Sequence, residues 1–279
     1  MTFVGMATFY DTHAHLDYPD FEPDLEEVIR RAEAAGVRRV ISIGTDFASS
    51  ERAIGLAERF PSVFAVVGWH PTHALEAPED LRPTLRRLAA HPKVVAIGET
   101  GLDYYRMPSQ KGGSAADDER YKERQALLFQ QQLEVAGELG LNCVVHQRSA
   151  LEDTIARIQP FAGRVRGQFH CFADDAAAMQ RILAMGSLVS FTGIATFKNG
   201  QNIRDTLAAT PAGQFMLETD CPYLAPVPYR RERCEPAHVR EIAMVAAETK
   251  GCSLDELSAD TCRAAHEFFP KLTRPDPAT

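Results

Sequence analysis

Short apolar stretches alternate with amphipathic ones along most of the chain. Clusters of β-branched, aliphatic and aromatic residues at 7–11, 37–43, 63–68, 94–98, 142–146, 164–169, 187–191 and 214–218 predict eight strands. Between them the apolar positions fall three and four apart, the helical period. In 24–35, Leu25, Val28, Ile29 and Ala32 form one face, and Gly36 suits the helix end. Leu81, Leu85 and Leu88 repeat the pattern in 79–90, and Phe129, Leu133 and Ala136 mark a long helix over 119–140 that stops at Gly140. A last helix is expected over 253–268, opened by a capping box of Ser253 and Glu256. Strands separated by helices pair in parallel, so eight such units predict an α/β fold closed into a (β/α)8 TIM barrel. An open doubly wound sheet would want a GxGxxG turn after its first strand, and the sequence has none there. A single domain is expected over 1–272, with 273–279 as a disordered tail. The stretch 106–118, with Pro108, Gly112, Gly113 and Ser114, predicts a flexible loop on the face where a lid would sit.

A chain of 279 residues with 45% apolar content can fill such a barrel as one unit. No run of about 18 apolar residues occurs, so no membrane span is expected. Met1 to Tyr10 carry neither positive charge nor a long apolar stretch, so a secretory signal is not expected and a cytoplasmic location is. Six cysteines are scattered without a CxxC pair, which suits free, packed thiols in a reducing compartment. The net charge of −8 argues against a broad grip on duplex DNA. It leaves room for one strand or end entering a pocket whose bound cations reverse the local charge.

Candidate chemistry collects at the ends of the predicted strands. Asp11-Thr-His-Ala-His15 follows the first, and alternation along a strand points His13 and His15 the same way. Later strand ends supply His70, Glu99, His146, His170 and Asp220, which a barrel gathers at one face. Five of the nine histidines fall at such ends. Imidazole and carboxylate without thiolate suit Zn, Mn or Mg, and there are more ligands than one ion needs. The expected grouping gives His13, His15 and Asp220 to one ion, His146 and His170 to a second, and Glu99 to both. His70 is expected to contact substrate or support a ligand. His73, His91, His238 and His266 are expected to be structural.

The chain resembles the TatD family of metal-dependent hydrolases in Asp11–Asp17 (DTHAHLD), Gly68-Trp-His-Pro71, Gly98–Tyr105 (GETGLDYY), Val144-Val-His-Gln-Arg-Ser-Ala150, His170-Cys-Phe172, Glu218–Pro226 (ETDCPYLAP) and Glu235-Pro236. The resemblance implies a metallo-dependent-hydrolase barrel and two divalent cations held by His13, His15, Glu99, His146, His170 and Asp220. It also implies deoxyribonuclease activity on single strands or exposed ends by a metal-activated water. For such a reaction Asp220 is expected to be the general base, with Glu99 also catalytic, Arg148 to hold a phosphate oxygen, Tyr104 or Tyr105 to stack on a base, and His70 to contact substrate. The chain departs from the family pattern at Gln147, in the run Arg230–Pro236 and in a longer loop at 106–118, all expected near the substrate mouth. An amidohydrolase acting on amides or esters is the rival reading. Many of those enzymes carry a modified lysine at strand four, where this chain has Glu99, with Lys93 before the strand. An aminoacyl-tRNA deacylase and a non-enzymatic metal- or nucleic-acid-binding module are the remaining rivals.

Overall fold

The computed structural model describes residues 7–274. Positions 1–6 and 275–279, including most of the expected tail and part of the segment read for a signal, lie outside the described residues; Thr273 and Arg274 are exposed. Eight strands form one parallel sheet in the order β1 to β8. They are β1 Phe9–Ala14, β2 Val37–Ile43, β3 Val63–Val67, β4 Val94–Asp103, β5 Asn142–Arg148, β6 Gly167–Phe169, β7 Leu188–Phe191 and β8 Phe215–Leu217. Helices α1 Leu25–Ala34, α2 Phe47–Arg59, α3 Arg82–Ala89, α4 Ala115–Leu139, α5 Leu151–Ile158, α6 Ala176–Ala184, α7 Gln201–Ala209 and α8 Val239–Lys250 cross between or after them, and α9 Leu254–Phe268 follows. The predicted TIM barrel is present.

The two-residue period of the strands sorts the core. Phe64 and Val66 point into the barrel with Ile41, Ile43, Val95 and Met216, while Val63, Ala65 and Val67 pack under the helices. Phe268 and Phe269 at the end of α9 join the inner cluster. Thr8 N donates to Ser258 Oγ at 3.1 Å, which ties α9 to the start of β1. The strands begin at this end, so α9 closes the barrel floor opposite the strand C-termini. The Ser253–Glu256 capping box is formed as predicted.

Strand boundaries differ from the prediction at β1, β4, β5 and β6: β5 runs two residues further, to Arg148, β6 starts three residues late, at Gly167, and the changes in β1 and β4 matter most for the site. β4 does not stop at 98 but runs on to Asp103. Its pairing with β5 steps from Ile97↔Cys143 to Thr100↔Val145, three residues against two. Glu99 therefore sits in a bulge, a device that re-aims a side chain. β1 starts two residues late and continues to Ala14, with a similar step between Asp11↔Val40 and Ala14↔Ser42. His13 thus lies inside a strand. The expected loop at 106–118 is shorter than predicted. Ser114 caps α4, and Asp117 and Asp118 fill its first turn, where carboxylates complement the helix dipole.

Candidate metal centre

The bulges bring the predicted residues together. His13 comes from β1, His15 from just past it, Glu99 from β4, His146 from β5, His170 from the residue after β6, and Asp220 from the segment after β8. Asp220 holds φ +56°, a conformation aspartate tolerates better than most residues, and its N–H donates to His13 O at 2.9 Å. His15 N donates to Cys221 O at 2.9 Å. The segment that completes the barrel seam is therefore the one that carries Asp220.

Two groups of ligand atoms share the Glu99 carboxylate. On one side, His13 Nε2 and His15 Nε2 are 3.3 Å apart. They lie 3.5 and 3.8 Å from Glu99 Oε2 and 3.7 and 3.4 Å from Asp220 Oδ1. On the other, His146 Nδ1 and His170 Nε2 are 3.2 Å apart and lie 3.0 and 2.9 Å from Glu99 Oε1. The first set, at 3.3–3.8 Å, lies near the edge of a tetrahedron built on zinc–ligand bonds, about 3.3–3.6 Å, while the second, at 2.9–3.2 Å, is drawn in to hydrogen-bond distance.

Far-side hydrogen bonds decide which ring nitrogen carries the lone pair. His15 Nδ1 donates to Ile43 O at 3.3 Å, leaving Nε2 unprotonated toward the centre. His146 Nε2 donates to Asp103 Oδ2 at 2.9 Å, leaving Nδ1 free toward Glu99. His70 is the opposite case. Thr72 N donates to its Nδ1 at 3.1 Å, so the proton sits on Nε2, 3.1 Å from Glu99 Oε1. His70 thus turns an N–H toward Glu99, although its ring also falls with Glu99 and His146 in a group of atoms close enough together to hold an ion. Lone pairs and carboxylates converging this closely in a buried pocket repel one another unless a cation lies between them, so the donor set fits divalent metal.

The charges respond accordingly. Burial by itself would raise the Glu99 carboxyl, but the surrounding imidazoles, His70 and His170 foremost, outweigh it and hold it well below the usual range. Burial likewise opposes ionisation of Asp220, and the His15 hydrogen bond with nearby His13 outweighs it. Burial pulls His70 down to about 4, so it is neutral near pH 7.

Sequence reasoning missed the supporting carboxylates. Asp103 orients His146. Glu218 Oε1 accepts from Cys171 N at 2.6 Å and faces His170 Nδ1 at 3.6 Å, while its Oε2 accepts from Ser190 Oγ at 2.6 Å and Gln168 Nε2 at 2.8 Å. Asp11 accepts from Thr219 N at 2.9 Å, joining β1 to the segment after β8. All three stand inside motifs that were read, DTHAHLD, GETGLD and ETD, two residues before or four after a ligand.

The centre opens into a cavity of about 250 Å3 lined by His70, Arg148, Arg106, Tyr18 and Tyr223 among others. A larger hollow of about 860 Å3 between α1 and α2, walled by Asp17, Arg52 and Arg59, holds none of the six residues. Tyr104 does not line the metal cavity. Its hydroxyl donates to Asp153 at 2.9 Å, and the exposed ring is that of Tyr105. The departures from the family pattern are absorbed structurally. Gln147, with its amide oriented to meet its neighbours, accepts from Leu151 N at 2.8 Å and Ala150 N at 3.2 Å at the start of α5. Arg230 lies 3.5 Å over the Phe197 ring, and Arg233 pairs with Asp24 and Glu235. His91 and His238 bond or stack on outer residues and His266 bonds Tyr10 of the inner cluster, while His73 bonds Glu76 but also reaches the cavity wall. All six cysteines are free. No helix among the described residues is long and apolar enough to cross a membrane.

Comparison with known proteins places this geometry. The family model described as TatD related DNase matches residues 10–270. An uncharacterized metal-dependent hydrolase, YabD of Bacillus subtilis, is 36% identical over 261 residues, 93% of this chain and 98% of that one. The protein named 3'-5' ssDNA/RNA exonuclease TatD of Erwinia tasmaniensis is 34% identical over 93% of this chain and 99% of its own. The crystal structure of YjjV, a TatD homolog from Escherichia coli, superposes with a TM-score of 0.86 at 26% identity, covering 95% of this chain and 99% of that one. The chain belongs to the TatD-related DNase family of metal-dependent hydrolases.

Proposed function

We propose that the protein is a two-metal phosphodiesterase that shortens single-stranded nucleic acid, DNA foremost, from exposed ends. The observation that carries this reading is the Glu99 carboxylate, whose two oxygens serve two separate sets of ligand atoms. His13, His15 and Asp220 with Glu99 Oε2 would hold one cation, and His146 and His170 with Glu99 Oε1 the other. Divalent cations there supply Lewis acidity, lowering the pKa of water and offsetting phosphate charge. Asp220 takes the proton of the attacking water. It is ionised, and its side chain is 16% exposed against 3% for Glu99, so water reaches it. His70 offers its Nε2 proton, and Arg148 its guanidinium, to non-bridging phosphate oxygens. The name of the Erwinia relative supports single strands, and RNA as well as DNA, as the substrate class. Free thiols suit a cytoplasmic setting.

The test is cleavage of end-labelled single- and double-stranded oligonucleotides with Mg2+ or Mn2+, beside a panel of amides, esters and aminoacyl-tRNA. Single strands are expected to shorten progressively, and Glu99→Gln to cut the rate by at least about a hundredfold with an unchanged circular dichroism spectrum. Full activity in excess chelator, or preferential turnover of the amide panel, overturns the reading.

A further inference from the structure

Beside the metal cavity, and joined to it by Arg106, lies a second cavity of about 690 Å3 whose walls include Tyr105, Arg106, Gln110, Lys111 and Ser149. No acidic side chain lines it, in a chain of net charge −8. Neither Arg106 nor Lys111 forms an ion pair among the described residues, although most arginines of the outer helices do. Tyr105 is 51% exposed, whereas Tyr104, which also lines this cavity, is half-buried and held by its hydrogen bond to Asp153. The Arg148 guanidinium lies 3.6 Å over the Tyr105 ring. The shelf is also locked to the chemistry. Asp103 accepts from Tyr105 N through Oδ1 at 2.9 Å and from His146 Nε2 through Oδ2 at 2.9 Å, so a single carboxylate spaces the exposed ring from the centre.

An exposed ring backed by a guanidinium, with unpaired cations around it and a phosphate-cleaving centre next to it, has the chemistry of a nucleotide rather than of a protein side chain or a lipid. We infer that this shelf is a second nucleotide subsite: it stacks the base of the nucleotide next to the scissile bond on Tyr105, and holds the following phosphates with Arg106 and Lys111. The inference rests on the nuclease reading above and adds to it how the retained strand is gripped. It also explains how an acidic protein holds a polyanion, through a local strip of positive charge rather than a basic surface.

Binding and cleavage separate the two claims. Binding is read by fluorescence anisotropy of a fluorescein-labelled single-stranded oligothymidylate in excess chelator, and cleavage of the same probe once Mg2+ or Mn2+ is restored. Tyr105→Ala should weaken binding roughly 5- to 150-fold, the range of one base–aromatic stack, and Tyr105→Phe should recover it because the ring is kept. Lys111→Gln should lower the slope of log affinity against log salt by about 0.7, one single-strand phosphate contact. Arg240→Gln, the same charge change on exposed α8, should leave that slope where it was. Unchanged affinity in Tyr105→Ala, no binding by the wild type, or equal slopes for the two charge variants overturns the subsite. Wild-type protein that binds the probe but never cuts it overturns the nuclease reading and leaves the subsite standing.

Discussion

At the scale of the residue, the centre is defined by which atom each side chain presents. Ile43 O fixes one face of His15 and Asp103 one face of His146, so their lone pairs converge on Glu99. Thr72 turns His70 the other way and makes it a proton donor. His170 has looser support than His15 or His146, with Glu218 Oε1 at 3.6 Å from its Nδ1. Metal binding should shorten that contact, because a ligand histidine gains basicity from a hydrogen-bonded carboxylate. Glu218→Gln should therefore weaken metal affinity by about 10- to 100-fold, measured by competition with a chromogenic chelator. Unchanged affinity would make Glu218 a packing residue only. The six ligand candidates and His70 were legible in the sequence because each stands beside a strand. Glu218 and Asp103 were not singled out because their role is to touch another side chain, which no spacing announces. Tyr104 and Tyr105 could not be ranked for the same reason: only the bond to Asp153 separates them.

At the scale of the element, period predicts existence better than ends. All eight strands and the capped last helix were readable from local alternation and capping chemistry. The boundaries that failed at the site, in β1 and β4, lie where those strands bulge, while β5 runs two residues further than predicted and β6 starts three residues late. Gly101 shows why that local irregularity is required. Its φ is +123°, and a Cβ there would lie 2.0 Å from His146 O. Gly101→Ala therefore opposes both the backbone conformation and the β4–β5 contact that carries His146. It should cost about 1–3 kcal/mol or more in urea unfolding and lower metal affinity as well. Wild-type stability in that variant would mean that β4 can relax without the bulge. The early start of α4 has a plainer cause: Asp117 and Asp118 look like loop residues by composition, yet belong in a capped first turn.

At the scale of the whole molecule, stability and site share the same seams. The stretch after β8 is pinned to α1 by Asp24, Arg31, Arg233 and Glu235. Arg233, with help from Arg31, holds the Asp24 carboxyl down to about 2, below its ordinary 3.8. A depressed acid stabilises the fold above its unfolded pKa, and that contribution is lost as pH falls through the folded one. The window is therefore about pH 4 down to 2, and Asp24→Asn should flatten the loss of stability there in chemical denaturation at stepped pH. An unaltered acid limb would show that the pair contributes nothing. Metal acts on the same whole. Cations that bind only the folded centre stabilise by mass action, about 2.7 kcal/mol at a hundredfold excess over Kd. Mn2+ or Zn2+ should thus raise the Tm of the wild type and fail to do so in Glu99→Gln.

The sequence by itself determined the barrel, the helix that closes its floor and the inventory of imidazoles and carboxylates at one rim, because strand and helix periods and caps are written within a few neighbouring residues. Only the tertiary structure decided which nitrogen faces inward, that Glu99 divides its oxygens between two sets of partners, and that Tyr105 is more exposed than Tyr104. Those outcomes depend on atoms brought within 4 Å across as many as 207 positions, as between His13 and Asp220. Such separations are set by how the sheet curls and bulges, and local sequence windows carry no record of them.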